Sequence, residues 1–143
     1  MAIAIGAAAC CAAPVKRVST FDKAYKAYEK QQMNEATQLF NTAIKENDRV
    51  AYAKAYLGSI KLAQEQTAEA ITILNEAVTM LDQDGEKSFT AWAHSELSAA
   101  YIEQGDNQAA LKHIGMAMQL QPSNAHYAME SAVIKYNIKD YNG

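Results

Sequence analysis

The chain has 143 residues, of which half are apolar and a fifth are charged, so it can bury a core and does not have the composition of a disordered tail. Its net charge of −3 argues against a nucleic-acid-binding protein, which would carry a basic face. Only two prolines and six glycines occur, and this composition favours helices throughout.

Residues 1–14 form an uncharged, apolar segment. The segment is shorter than the about 20 residues that span a bilayer, and it is typical of the apolar region of an export signal. The run that ends at Cys10 loosely resembles the lipid-attachment box of bacterial lipoproteins, although Ala7 stands where leucine is usual and Cys11 offers a second acceptor. We therefore expect an exported bacterial protein, periplasmic or membrane-anchored. A cleaved signal and a lipid anchor both remain open.

The first predicted helices follow this segment. Ser19 and Asp22 form a capping pattern that predicts a helix start, and residues 31–34 form the turn to the next helix. Asn47 and Asp48 are expected to end that second helix and to cap the third. These signals place the first helix pair within residues 17–50.

The second predicted pair occupies residues 51–84. Gly58 stands in the middle of its first helix, where glycine costs about 1 kcal/mol relative to alanine, so we expect a close approach of two helices there. Gly85 is a plausible left-handed cap for the second helix. Residues 86–90 interrupt the pattern, either by lengthening the flanking helices or by forming a small loop.

The third predicted pair occupies residues 91–124. A Gly105-Asp106 turn separates its helices, and Pro122 ends the second of them. A last helix is predicted from residue 124 to about Ile138, followed by a tail at residues 139–143. This helix has no partner, so it either shields the preceding pair, begins a shortened fourth unit, or provides a surface for self-association.

Three internal repeats connect these pairs. Ala36, Ala70 and Ala110 begin the same triplet, with intervals of 34 and 40 residues. Small residues recur in register at Ala24, Gly58 and Ser98, and Pro122 closes the third unit. The spacings resemble the tetratricopeptide repeat, a helix–turn–helix unit of about 34 residues. The resemblance implies an all-α fold, a right-handed superhelical solenoid of three helix pairs plus a C-terminal helix, with its array over residues 17–138.

Catalytic and metal-binding motifs are not evident in the sequence. His94, His113 and His126 have no metal-ligand spacing, and the sequence contains no nucleophile elbow and no phosphate-binding glycine loop. We expect no enzyme activity, no catalytic residues, no metal and no cofactor. His94 lies at a core-facing position of its repeat, so it is expected to serve packing.

The resemblance also implies a binding groove, because the first helix of each repeat lines the concave side of such solenoids. Family positions two, five, nine and twelve point inward, and aromatic residues there would suit a protein interface. Burial between units is the competing interpretation for each single residue. The positions are Phe21, Tyr25, Tyr28, Tyr52, Ser59, Trp92, Ser95, Ile102, His126, Met129, Val133 and Tyr136.

These features predict a non-catalytic module that binds a protein or peptide segment in its groove. Lysine and asparagine residues of the kind that clamp a C-terminal carboxylate in chaperone adaptors are missing from most inward positions, so an extended apolar or aromatic segment fits better. Two alternatives remain. One is a structural protein that dimerises through its last helix, and the other is the repeat segment of a longer protein. A membrane is expected to be contacted only through a lipid on Cys10 or Cys11.

Overall fold

A computed structural model describes residues 16–142, with side chains up to Lys139, and these residues form seven α-helices with no strand among them. Residues 1–15, including Cys10 and Cys11, lie outside the described residues. The helices are α1 (Thr20–Glu29), α2 (Met33–Lys45), α3 (Val50–Ala63), α4 (Thr67–Asp84), α5 (Lys87–Gln104), α6 (Asn107–Leu120) and α7 (Ala125–Asn142).

The helices pack as three consecutive pairs, α1 with α2, α3 with α4 and α5 with α6, and α7 packs on α6. Each buried cluster joins one pair to the first helix of the next unit. Phe40 of α2 shares a cluster with Ile60 of α3, and Leu74 of α4 shares one with Leu97 of α5. Ile114 of α6 shares the third with Ile134 of α7. The predicted all-α repeat solenoid is confirmed, and each pair hides its apolar face by stacking on a neighbour.

Small residues stand where the two helices of a pair touch. A Cβ atom added to Gly58 would lie 2.5 Å from Cγ of Leu74 on the partner helix, which is closer than real Cβ contacts. Ser98, at the equivalent position of α5, donates its hydroxyl to the carbonyl oxygen of Ala110 at 2.9 Å. Ala24, the third member of this set, is completely buried. The expected close approach therefore occurs.

The helix caps follow the predicted pattern at the start of α1 and depart from it at the start of α3 and the end of α4. Ser19 Oγ accepts the backbone N–H of Asp22 at 3.0 Å, as its capping pattern predicted. Asp48 does not cap α3. Its carboxylate accepts the backbone N–H of Phe21 at 2.7 Å, so it caps α1 from the turn between α2 and α3. Gly85 is extended, with φ −71°, because the chain turns there directly into α5; the prediction of a left-handed cap was wrong.

The insertion lengthens both helices that flank it. α4 runs to Asp84 and α5 begins at Lys87, so each has 18 residues and only two residues connect them. At the other end of the molecule α7 continues beyond Ile138 to Asn142, where the sequence pattern placed a tail. None of the seven helices combines the length and apolarity that crossing a membrane requires, within residues 16–142.

Candidate functional site

A cleft of about 620 Å³ opens between the first helices of the three units. α1 and the turn after it form one wall, α3 forms the floor, and the start of α5 forms the other wall. We call it the aromatic cleft, because half of its lining residues have aromatic rings. The lining residues are Tyr25, Tyr28, Glu29, Gln31, Met33, Tyr56, Glu86, Ser88, Phe89 and Trp92.

Tyr56 is the centre of this cleft. Its ring stacks on the buried ring of Phe40 at a centroid distance of 5.3 Å and an angle of 5°, so the core fixes its orientation. Four further rings surround it at centroid distances of 5.0–5.4 Å, and they are those of Tyr25, Tyr28, Phe89 and Trp92. Burial raises the pKa of Tyr56 to about 12, so the phenol stays neutral at physiological pH. The result is a rigid surface of aromatic rings.

The insertion supplies one wall of the aromatic cleft. Because it extends α5 at its N-terminal end, Phe89 packs on Tyr52 at 4.6 Å and on Trp92 at 5.0 Å. Glu86 caps the extended helix by accepting the backbone N–H groups of Ser88 and Phe89. The sequence analysis missed Phe89 and Tyr56 as cleft residues. Phe89 falls outside the repeat register, and Tyr56 lies on the apolar stripe of its helix, which is the pattern of a core residue.

The charge of the aromatic cleft is negative. Glu29 and Glu86 are its charged lining residues, and among the described residues that line it none is a lysine or an arginine. The hydroxyl of Tyr25 donates to the Glu29 carboxylate, and this hydrogen bond raises the pKa of Tyr25. Glu86 accepts hydrogen bonds from the hydroxyl of Ser88 and from the backbone N–H groups of Ser88 and Phe89. These bonds lower the pKa of its carboxyl group, which therefore remains ionised.

Two more carboxyl groups lie near each other on α5 and α7. Burial raises the pKa of Glu96, the hydroxyl of Ser59 opposes that shift, and the charge of Glu130 adds to it. Burial also raises the pKa of Glu130, against the effect of His126, whose Nε2 lies 3.1 Å from the Glu130 carboxylate. Two carboxyl groups thus lie together where α5 meets α7.

A second, smaller cleft of about 270 Å³ lies between α5 and α7. Three residues that were predicted to face the groove line it: Ile102, Met129 and Val133. Their side chains are 42%, 62% and 54% exposed. Its remaining lining consists of Ser98, Ala99, Glu130, Ile134 and Asn137. Most of this lining is apolar, so we call it the apolar cleft.

The other predicted groove residues take different places. Phe21 was predicted to line the groove but lies in the core. It is only 7% exposed because it packs on Phe40 and under the guanidinium of Arg49. Ser95 is buried and donates its hydroxyl to the carbonyl oxygen of Trp92. Tyr52 is half-buried, and its hydroxyl accepts the backbone N–H of Glu86.

Of the remaining three, Ser59 is half-buried and contacts Glu96, whereas His126 and Tyr136 are exposed on α7. The sequence pattern thus brings Tyr25, Tyr28 and Trp92 into the aromatic cleft and Ile102, Met129 and Val133 into the apolar one. The remaining predicted residues do not line either cleft.

A chain of polar side chains, starting at Asp82 on α4, links the second and third units. His94 is fully buried, as its repeat position predicted, and it lies 2.9 Å from Asp82 and 3.1 Å from His113. The ring of Tyr101 stacks on His113 at 5.5 Å. These residues line neither cleft, and within residues 16–142 no group of three or more potential ligands could hold a metal ion.

Comparison with known proteins identifies the repeat family and supports the fold. The family model of the tetratricopeptide repeat matches residues 49–123. Among curated proteins, none is significantly similar to this chain. Among solved structures, the first TPR of Spaghetti (RPAP3), bound to the HSP90 peptide SRMEEVD, superposes with a TM-score of 0.74 at 18% identity, over 84% of this chain and 90% of that one.

Two larger proteins contain a similar array. The TPR2AB domain of yeast Sti1, in complex with pHSP90, has a TM-score of 0.74 at 15% identity and matches 86% of this chain and 47% of its own. Naa15/Naa10 bound to HypK-THB has a TM-score of 0.65 at 23% identity, over 86% of this chain and 18% of that one. At these identities the likeness concerns the fold alone.

Proposed function

Because this chain belongs to the tetratricopeptide repeat family, we propose that it is a non-catalytic module that binds a peptide segment of a partner protein in the aromatic cleft. One observation carries this proposal: five aromatic side chains converge around a cleft of about 620 Å³ and stay partly exposed. Rigid aromatic rings supply much contact area with few rotors to freeze, so they recur at the centres of interfaces.

The charges of the cleft argue against an acidic ligand. The peptide bound by the Spaghetti TPR, SRMEEVD, carries three acidic residues near its end. A cleft whose charged lining residues are Glu29 and Glu86 would repel such a segment. We therefore propose that this chain does not use a carboxylate clamp, and that an extended segment with apolar or aromatic side chains occupies the cleft.

A displayed library of random 12-residue peptides tests this function. We expect the full-length chain to enrich peptides whose affinity, measured by fluorescence polarisation, falls at least about thirtyfold when Trp92 is replaced by alanine, as for a hot-spot residue worth about 2 kcal/mol. Met80→Ala is the matched control, since Met80 is an exposed apolar residue on α4, away from both clefts. Failure to enrich any peptide, or equal losses in both variants, would overturn the proposal.

A second candidate function is self-assembly through α7. Met129, Val133 and Tyr136 of this helix are 62%, 54% and 66% exposed, and contiguous apolar exposure is typical of an interface. The partner in this case is a second copy of the chain. Sedimentation velocity over a range of concentrations would show a dimer that Val133→Glu weakens, and a monomer at every concentration would exclude this function.

We also propose that residues 1–14 direct export and that Cys10 or Cys11 is a site for a lipid anchor. The observations behind this proposal are the uncharged apolar composition of the segment and the small residues before Cys10. A cleaved signal without a lipid is the alternative.

A further inference from the structure

The aromatic cleft combines two features that together favour a cation. The faces of aromatic rings carry negative charge density, which attracts ammonium and guanidinium groups within about 6 Å of the ring centre. Five aromatic residues line this cleft, and Glu29 stands beside two of them on α1. Glu29 lies close enough to the hydroxyl of Tyr25 to raise its pKa, so the carboxylate is next to the rings.

Glu29 is the carboxylate that remains available. Glu86 already accepts two backbone N–H groups at the start of α5, where the helix dipole compensates its charge. Glu29 is exposed at the C-terminal end of α1, where the negative end of the helix dipole adds to its own charge. An incoming cation would thus meet an exposed carboxylate at this wall of the cleft, since Lys26 in the same turn and Lys30 at the C-cap do not line the cleft.

The chain already contains this type of contact. The guanidinium carbon of Arg49 lies 4.3 Å from the ring centroid of Phe21, while its Nη2 lies 2.7 Å from the carboxylate of Asp22. There an aromatic face and an adjacent carboxylate on α1 together hold an arginine from the turn between α2 and α3. Glu29 and the rings of Tyr25 and Tyr28, further along the same helix, present a similar pair of groups towards the cleft.

We infer that the aromatic cleft recognises a cationic side chain, arginine in preference to lysine, within a peptide segment whose flanking side chains are apolar. The guanidinium stacks on the exposed rings and donates to Glu29, while the flanking residues cover the remaining aromatic surface. Arginine is favoured over lysine because its planar group stacks on rings and donates along a fixed fork. This inference rests on the proposed peptide-binding function and specifies its ligand.

The acidic groups further along the same set of helices fit this preference. Burial raises the pKa values of Glu96 and Glu130, and the charge of Glu130 adds to the shift at Glu96, so a cation nearby would favour the ionised form of both groups. Neither cleft has a lysine or arginine among its described lining residues. A second basic residue in the ligand would therefore also meet acidic surroundings.

The random-peptide library described above tests the inference through composition. We expect the enriched peptides to share a basic residue at one position, arginine more often than lysine, above its frequency in the starting library. In the tightest peptide, replacing that arginine by citrulline, a neutral side chain of nearly the same shape, should weaken binding about five- to tenfold. Raising the NaCl concentration should weaken the arginine peptide more than the citrulline peptide.

Two protein variants assign the effect to Glu29. Glu29→Gln should remove most of the difference between the arginine and citrulline peptides, whereas Glu35→Gln, which changes the net charge equally on α2, should leave it intact. Peptides that depend on Trp92 but show no enrichment of basic residues would overturn this inference and leave the proposed function standing. A citrulline effect that persists in Glu29→Gln would overturn the assignment to Glu29.

Discussion

The Nδ1 atoms of His94 and His113 lie 3.1 Å apart, and Nε2 of His94 lies 2.9 Å from a carboxylate oxygen of Asp82. A carboxylate can only accept, so Nε2 of His94 carries a proton and donates it to Asp82. Neutral His94 then presents a lone pair at Nδ1, to which His113 donates its Nδ1 proton. A second proton on His94, at Nδ1, would place two N–H groups face to face and break this bond.

The first prediction concerns acid sensitivity. Burial, assisted by the charges of His94 and Lys112 and opposed by Asp82, lowers the pKa of His113 to about 4. An unfolded histidine titrates near 6.5, so between about pH 6.5 and 4 the unfolded chain binds more protons. The free energy of unfolding should therefore fall as the pH falls through this window, by about 2 kcal/mol between pH 7 and pH 5 from this group.

Urea denaturation at pH 7 and pH 5 measures this effect. His113→Asn keeps a donor near the position of Nδ1 and removes the titration, so it should reduce the difference between the two pH values. Gly115→Ala, a change at a non-titrating position of the same helix with nothing within 4 Å of the new methyl group, is the control and should leave the difference nearly unchanged. An equal pH dependence in wild type and His113→Asn would contradict the prediction.

The second prediction concerns the contact between α3 and α4. Gly58→Ala places a methyl group 2.5 Å from Cγ of Leu74, so we expect overpacking to exceed the gain in helix propensity and to destabilise the protein by about 1–2 kcal/mol. Gly115→Ala is the matched control in α6, where nothing lies within 4 Å of the new methyl group, and it should stabilise by about 0.5–1 kcal/mol. Thermal melting followed by circular dichroism compares them. Stabilisation by both substitutions would mean that Leu74 moves aside freely.

The third prediction concerns the cap that Asp48 provides for α1. Asp48→Ala removes the acceptor of the Phe21 N–H and should cost about 1 kcal/mol, as the loss of a helix cap does. Hydrogen exchange of the Phe21 amide should accelerate more than that of amides in α5. Asp84→Ala, at an exposed aspartate that ends α4, should change stability by less than about 0.5 kcal/mol. Unchanged protection of Phe21 would show that Asp48 does not cap this helix.

The fourth prediction concerns Trp92, the single tryptophan of the chain. Its half-buried ring packs on Tyr56 and Phe89, so acrylamide should quench its fluorescence partially in the free protein. A peptide selected from the library should shift the emission to the blue and reduce quenching, because it covers the exposed part of the ring. Trp92→Ala should destabilise the chain by less than the about 3–5 kcal/mol typical of a core aromatic. Emission that is blue and resistant to quenching without peptide would place the ring in the core.

The fifth prediction concerns Cys10 and Cys11. If either carries a lipid, the full-length protein produced in a bacterium should partition into the detergent phase, and the Cys10→Ser/Cys11→Ser double variant should not. Mass spectrometry of the mature chain provides an independent readout. A free N-terminus near Pro14 would instead indicate cleavage without lipid attachment.

Much of the architecture could be predicted from spacing alone. Ala36, Ala70 and Ala110 mark the second helix of each unit, and Ala24, Gly58 and Ser98 mark the contacts within units. These features are encoded locally, because a helix pair joined by a short turn has few ways to pack and its small residues must face each other. The capping role of Ser19 was predictable for the same reason, since donor and acceptor are three residues apart.

The cleft and the polar interior depend on contacts between distant parts of the chain. Tyr56 could be assigned to a helix, but only the packing of α1 and α5 around it makes it the centre of a cleft. Phe89 belongs to an insertion outside the repeat register. Asp48, in the turn between α2 and α3, caps α1. His94 and His113 are 19 residues apart and meet because α5 and α6 face each other. Periodicity in the sequence determines which face of a helix is buried. Which side chains meet depends on the rotation and offset of neighbouring helices, and this rotation and offset are set only when all the helices pack together.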